Sequence, residues 1–138
     1  MQWKEEYSVG IVEIDDQHRG FIEYFTLIEN AFESRESWSD VFFKLEQLRE
    51  HARIHFAVEE SLMRLHGYPR LAEHADLHKH FLSKLDQLQM TTLSRQVTME
   101  TISYLRNWYV DHMKSADLDY ARFIIKGAAV VTTRIPAA

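Results

Sequence analysis

Cysteine is absent from the 138 residues. That excludes disulfides, iron–sulfur clusters, thiolate zinc sites and cysteine nucleophiles together. Any metal must then be held by nitrogen and oxygen. Proline occurs twice and glycine four times, too few to interrupt long helices. No apolar run comes near the roughly 18 residues that a membrane-spanning helix needs. The start, MQWKEEYSVG, lacks the basic-then-apolar order of a secretory signal, so the cytoplasm is the expected location. Lys and Arg number 16 against 21 Asp and Glu, a net charge of −5. With no basic stripe to offset that charge, the sequence argues against a nucleic-acid partner.

What is present is an ordinary globular balance, 46% apolar and 27% charged. The length suits a single domain over 1–138 with a real core. Residues 1–14 read as an extended arm. Four segments then carry apolar residues at helical spacing. The first, capped by Asp15 or Asp16 and running to about Phe32, aligns His18, Phe21, Phe25, Ile28 and Phe32. The second, about 41–65 with Ser39 or Asp40 as cap, aligns Leu45, Leu48, Ala52, His55, Glu59 and Leu62. Gly67-Tyr68-Pro69 breaks the chain, since glycine ends one helix and proline opens the next. The third segment, about 70–88, aligns Leu71, His74, His78, Phe81, Leu85 and Leu88. A polar turn at 91–94 leads to the fourth, which starts near Arg95 and turns Ile102, Leu105, Trp108, Tyr109 and His112 inward. A short tail, 127–138, follows. Short connections between four helices predict an all-α, up-down-up-down antiparallel four-helix bundle.

Seven residues on these stripes carry chemistry. They are His18, then His55-x-x-x-Glu59, then His74-x-x-x-His78, then His112-x-x-x-x-Asp117. A lone histidine on an apolar stripe is ordinarily a satisfied core or boundary residue. Residues four apart share a helix face and can chelate one centre, and here two such pairs fall on inward stripes. Burying these groups together without a metal is hard to stabilise. Five imidazoles and two carboxylates exceed one zinc ion and suit a pair of iron ions. The five-residue interval from His112 to Asp117 turns an ideal helix by about 500°, leaving the two about 140° apart. Both reach one site only if the helix loosens between Met113 and Asp117, through a π-type bulge or a bent end. The alternative is a solvent-facing Asp117. His51 reads as a residue at the stripe's edge or a partner behind a ligand, and His66 and His80 as exposed histidines.

This ordered ligand set, with Ser8-Val9-Gly10-Ile11 and Ile14-Asp15-x-Gln17-His18, resembles the hemerythrin family. The resemblance is strongest to its stand-alone bacterial members, the bacteriohemerythrins, and runs from Trp3 to about Tyr120. It implies reversible oxygen binding at a non-haem di-iron centre with an oxo or hydroxo bridge. By that resemblance His74, His78 and His112 bind one iron, His18 and His55 the other, and Glu59 and Asp117 bridge them. The first iron is then fully coordinated, and the second keeps one position open for oxygen. An apolar pocket is expected, with Phe21, Phe25, Phe56, Leu105, Trp108 and Tyr109 as walls. Tyr109 stands where family members commonly carry leucine; its hydroxyl either donates to what binds in the pocket or, on the slightly favoured reading, points outward. The implied role is oxygen storage, transport or delivery by a monomer, with an oxygen-consuming enzyme as a candidate recipient. A di-iron enzyme handling peroxide or nitric oxide is the first alternative. An oxygen sensor is the second, although sensors of this kind are normally fused to signalling domains.

Overall fold

The computed structural model describes residues 1–134, with side chains placed through Ala128. Helix α1 spans Val12–Glu33, starting ahead of the expected cap. Asp15 does not cap it. Its carboxylate instead accepts from the Val9 amide at 2.8 Å and the Ser8 hydroxyl at 2.5 Å, pinning the arm to the first turn. The arm is accordingly not extended throughout: Glu5–Tyr7 form a 3₁₀ turn, and Tyr7 and Val9 are buried.

Helix α2 spans Trp38–Leu65, and its cap is Ser37, whose hydroxyl accepts from the Asp40 amide at 3.2 Å. The serine and aspartate expected as caps lie inside the first turn. Gly67, at φ +67°, ends this helix as expected. The Tyr68 amide bonds back to the Met63 carbonyl and the Gly67 amide to that of Arg64, the paired closure of a Schellman motif. Helix α3 runs Leu71–Leu93, five residues beyond the expected end. The same closure stops it, but with Arg95 at φ +61° in the place that glycine usually takes. Arg35, at φ +55°, does this for α1.

Helix α4, Met99–His112, starts at a capping box made by Thr98 and Thr101, later than the expected Arg95. A π turn over Met113–Asp117 follows, then α5, Leu118–Arg134. The expected tail from Gly127 is therefore helical to Arg134, and 135–138 lie outside the described residues. The π turn is the irregularity that the five-residue interval requires: the Leu118 amide bonds to the Met113 carbonyl, five residues back.

The helices form the antiparallel four-helix bundle, and no strand occurs among the described residues. Opposite sense is visible in the cross-links. As numbers rise along α2 through Glu46, Arg49 and Glu60, partners on α3 fall through Gln89, Asp86 and His78. Arg106 on α4 grips both carboxylate oxygens of Glu29 on α1, at 2.6 and 2.8 Å. Two apolar clusters fill the interior. The larger is built around Phe21, Phe25, Leu45, Leu48, Phe56, Phe81, Leu85 and Tyr109. The smaller, Val9, Ile14, Met63, Tyr68, Tyr120, Ala121 and Ile124, closes the end where the arm meets α5. Between the two clusters each helix of the bundle contributes buried polar side chains.

Candidate metal centre

That polar layer consists of the seven residues singled out by sequence. His18 comes from α1, His55 and Glu59 from α2, His74 and His78 from α3, His112 from the end of α4, and Asp117 from the π turn. None is more than 4% exposed. The π turn is what admits Asp117, which is wholly buried with Oδ1 3.0 Å from His112 Nε2. The solvent-facing alternative is thereby overturned.

The donor atoms crowd a common space. Asp117 Oδ1 also lies 2.9 Å from His74 Nε2, and its Oδ2 lies 3.1 Å from His18 Nε2. Glu59 Oε1 approaches His55 Nε2 at 2.9 Å and His78 Nε2 at 3.4 Å. Yet all five Nε2 atoms, Glu59 Oε1 and both Asp117 oxygens lack a hydrogen-bond partner. Buried polar atoms are nearly always satisfied, so this many orphans facing one another mark a place for a cation. They fall into two groups: Glu59, His74, His78, His112 and Asp117, and His18, His55, Glu59 and Asp117. Both carboxylates belong to both groups, so the layer can hold two metal ions side by side with Glu59 and Asp117 between them. The donor set of nitrogen and carboxylate oxygen suits iron.

Partners behind the imidazoles hold their lone pairs toward this space. His55 Nδ1 donates to Gln17 Oε1 at 2.5 Å, and His78 Nδ1 to Glu60 Oε2 at 2.9 Å. With Nδ1 carrying the proton, Nε2 is the free acceptor, as a metal ligand must be. Tyr120 donates to Glu59 Oε2, the one carboxylate oxygen of the pair that has a partner. Electrostatics follow from burial and charge together. Burial alone raises Glu59 and Asp117, but the surrounding imidazoles overcome it and hold both carboxyls well below the usual range. Burial alone lowers His18, but Asp117 and Glu59 push it up to about 9.

The expected pocket walls separate into three kinds. Phe21 and Tyr109 stack on each other at 3.9 Å, with Phe21 edge-on to His55 at 5.3 Å and Tyr109 edge-on to His18 at 6.0 Å. Phe56 and Trp108 lie flat on ligand rings of the other group, at 3.9 Å from His78 and 5.0 Å from His112. Phe25 and Leu105 sit further into the larger cluster, Phe25 against Phe81 at 6.5 Å. The Tyr109 hydroxyl does not point outward. It is buried without a partner, and burial, with the charges of Asp117 and Glu59, pushes it well above its ordinary pKa. His51 is half-buried, its Nε2 2.9 Å from the Gln17 carbonyl oxygen; His66 and His80 are exposed.

Sequence reasoning missed Gln17, Glu60, Tyr120 and Phe81. Glu60 directly follows a ligand and Gln17 directly precedes one, but each serves a histidine on a different helix. Phe81 follows His78 on the α3 stripe and touches Phe21, Phe25, Phe56, Trp108 and Tyr109; the stripe signal was there.

A four-helix bundle with a buried layer of five histidines and two shared carboxylates defines a dinuclear metal-binding protein. The model of the hemerythrin HHE cation-binding domain matches residues 9–124, and the chain belongs to the hemerythrin family. It is 26% identical over 125 residues to a bacteriohemerythrin of Clostridium acetobutylicum, covering 86% of this chain and 96% of that one. It is 30% identical over 118 residues to myohemerythrin-1 of Phascolopsis gouldii, covering 86% and 89%. A wild-type hemerythrin crystal structure shares the fold, with a TM-score of 0.81 at 24% identity, covering 90% of this chain and 97% of that one. Hemerythrins are oxygen-binding proteins, not enzymes, and carry a di-iron centre.

Proposed function

We propose that this protein binds molecular oxygen reversibly at two iron ions, for storage or delivery. In this reading His74, His78 and His112 hold one ion, His18 and His55 the other, and Glu59 and Asp117 bridge them. One observation carries it: eight buried donor atoms face one another without hydrogen-bond partners, with both carboxylates common to two groups. Without a cation such a layer sets lone pairs against lone pairs at low dielectric.

Bound there, ferrous iron would supply the two electrons and the open coordination position that oxygen needs. The chain's own residues supply the conditions. Gln17 and Glu60 keep the Nδ1 protons of His55 and His78 in place, so Nε2 stays available. Tyr120 restrains Glu59. Phe21 and Tyr109 cover His18 and His55 and keep bulk water from the two-imidazole side. A set richer in neutral imidazole than in carboxylate donates less charge, which suits reversible binding over oxygen activation. The reading extends to a monomer working in the cytoplasm and passing oxygen to an oxygen-consuming enzyme. Among the described residues, no helix is long and apolar enough to cross a membrane.

Visible absorption of the reduced, iron-loaded protein tests this. A charge-transfer band that forms in air and vanishes under argon is expected. A band that never forms, or decays at once to an irreversible ferric spectrum, would overturn the reading and favour an enzyme.

A further inference from the structure

Two of the five inward imidazoles are anchored from behind by partners of unlike charge. His78, in the three-imidazole group, donates to the carboxylate of Glu60; His55, in the two-imidazole group, donates to the amide oxygen of Gln17. Neither contact is incidental. Glu60 reaches His78 at 2.9 Å from a side chain that is 29% exposed, at the edge of the buried layer. Gln17 is held from the other side, its carbonyl oxygen 2.9 Å from His51 Nε2. His51 in turn is pressed onto Gly20, where a Cβ would come within 2.9 Å of its Cε1.

A hydrogen bond to a carboxylate draws the Nδ1 proton out and pushes electron density toward Nε2, making the imidazole a stronger donor. An amide oxygen fixes the same tautomer without adding charge. We propose that Glu60 and Gln17 make the two metal positions electronically unlike, Glu60 easing oxidation at the three-imidazole position and Gln17 leaving the two-imidazole position less electron-rich. This rests on the ligand assignment proposed above. The position with room for oxygen is then the less readily oxidised of the two, and the more readily oxidised one stands behind it as a reserve. Glu60 and Gln17 are positioning residues: both act through a ligand.

The test compares the iron-loaded full chain with Glu60→Gln, Gln17→Glu and, as a control for charge alone, Asp76→Asn. Asp76 is exposed on α3 between His74 and His78. The readouts are the midpoint potential from spectroelectrochemical titration, iron retained against a chelator, and melting of the metal-free forms. Glu60→Gln is expected to shift the ferric-to-ferrous ratio about tenfold toward ferrous at fixed potential, equivalent to about 59 mV for one electron. It should also weaken iron retention by roughly 10–100-fold, while metal-free melting stays put. Gln17→Glu should move the potential the other way. Equal shifts from Glu60→Gln and Asp76→Asn, or no shift from Glu60→Gln in a chain that loads two irons, would overturn the inference alone. A wild-type chain that takes up no iron would overturn the ligand assignment and the inference with it.

Discussion

Replacing Tyr109 with phenylalanine removes one oxygen atom and leaves the ring on Phe21, so the two consequences of that oxygen can be read cleanly. The hydroxyl is buried and unpartnered, in a side chain 1% exposed. A buried hydroxyl left unsatisfied costs about 1–3 kcal/mol, so Tyr109→Phe is expected to stabilise the metal-free chain by that amount. For a chain of this size each kcal/mol raises the melting temperature by roughly 3–4 °C. On the proposed reading the same hydroxyl would donate to oxygen held at the site, since its ring lies beside His18 and near the charges of Asp117 and Glu59. Losing one such hydrogen bond, at about 1 kcal/mol, speeds oxygen release about fivefold. The assays are thermal unfolding of metal-free protein and stopped-flow release of oxygen from the loaded form. The opposite signs matter, because a merely structural tyrosine gives only the first effect and a well-satisfied one gives only the second. A phenylalanine variant that is no more stable, and that releases oxygen at the wild-type rate, refutes the reasoning on both counts.

Two further outcomes are expected. His18 has a folded pKa of about 9 against an ordinary 6.5, so the metal-free fold holds a proton that the unfolded chain releases. That stabilisation is complete below pH 6.5 and lost as pH rises through about 9. The metal-free melting temperature should therefore fall across that window while the loaded protein, with Nε2 committed, does not follow it; parallel curves for the two forms count against this. Arg95→Gly relieves a left-handed arginine at φ +61° and should stabilise the fold by about 0.5–1 kcal/mol net of the freedom glycine gains in the unfolded chain, read as a higher urea midpoint. Arg95→Ala should not.

The residues that converge on the centre were legible because helices turn regular spacing into shared faces. The His55–Glu59 and His74–His78 pairs declare themselves at four-residue intervals. The five-residue interval to Asp117 was informative as well, because an ideal helix cannot accommodate it and the π turn does. What hid from sequence was whatever depended on an unlike partner or an unmarked backbone state. Gln17 serves His55, 38 residues away, and Glu60 serves His78, 18 away; neither distance has a period. The end of α3 was misplaced because Arg95 adopts the conformation that glycine advertises and arginine conceals. The start of α1 was misplaced because Asp15, a good cap by type, was spent on holding the arm. The direction of the Tyr109 hydroxyl stayed open, because spacing places a ring on a face without fixing which way its far end turns.

The π turn also decides where this chain tolerates a change in length. Upstream of it, Ile102, Leu105, Tyr109 and His112 are buried at alternating steps of three and four; downstream, Asp117, Tyr120, Ala121 and Ile124 take up the same face after one step of five. The fourth helix is thus two rods joined by a single surplus residue that resets their phase. Deleting one residue from 113–116 would leave a four-residue interval from His112 to the aspartate, about 400° of ideal helix. The π turn would then relax to regular helix, with Asp117, Tyr120 and Ile124 still in phase. Inserting a further residue there would instead rotate all of α5 by about 100°. In this stretch the chain holds one residue more than helical phase needs, so it tolerates a loss of length better than a gain.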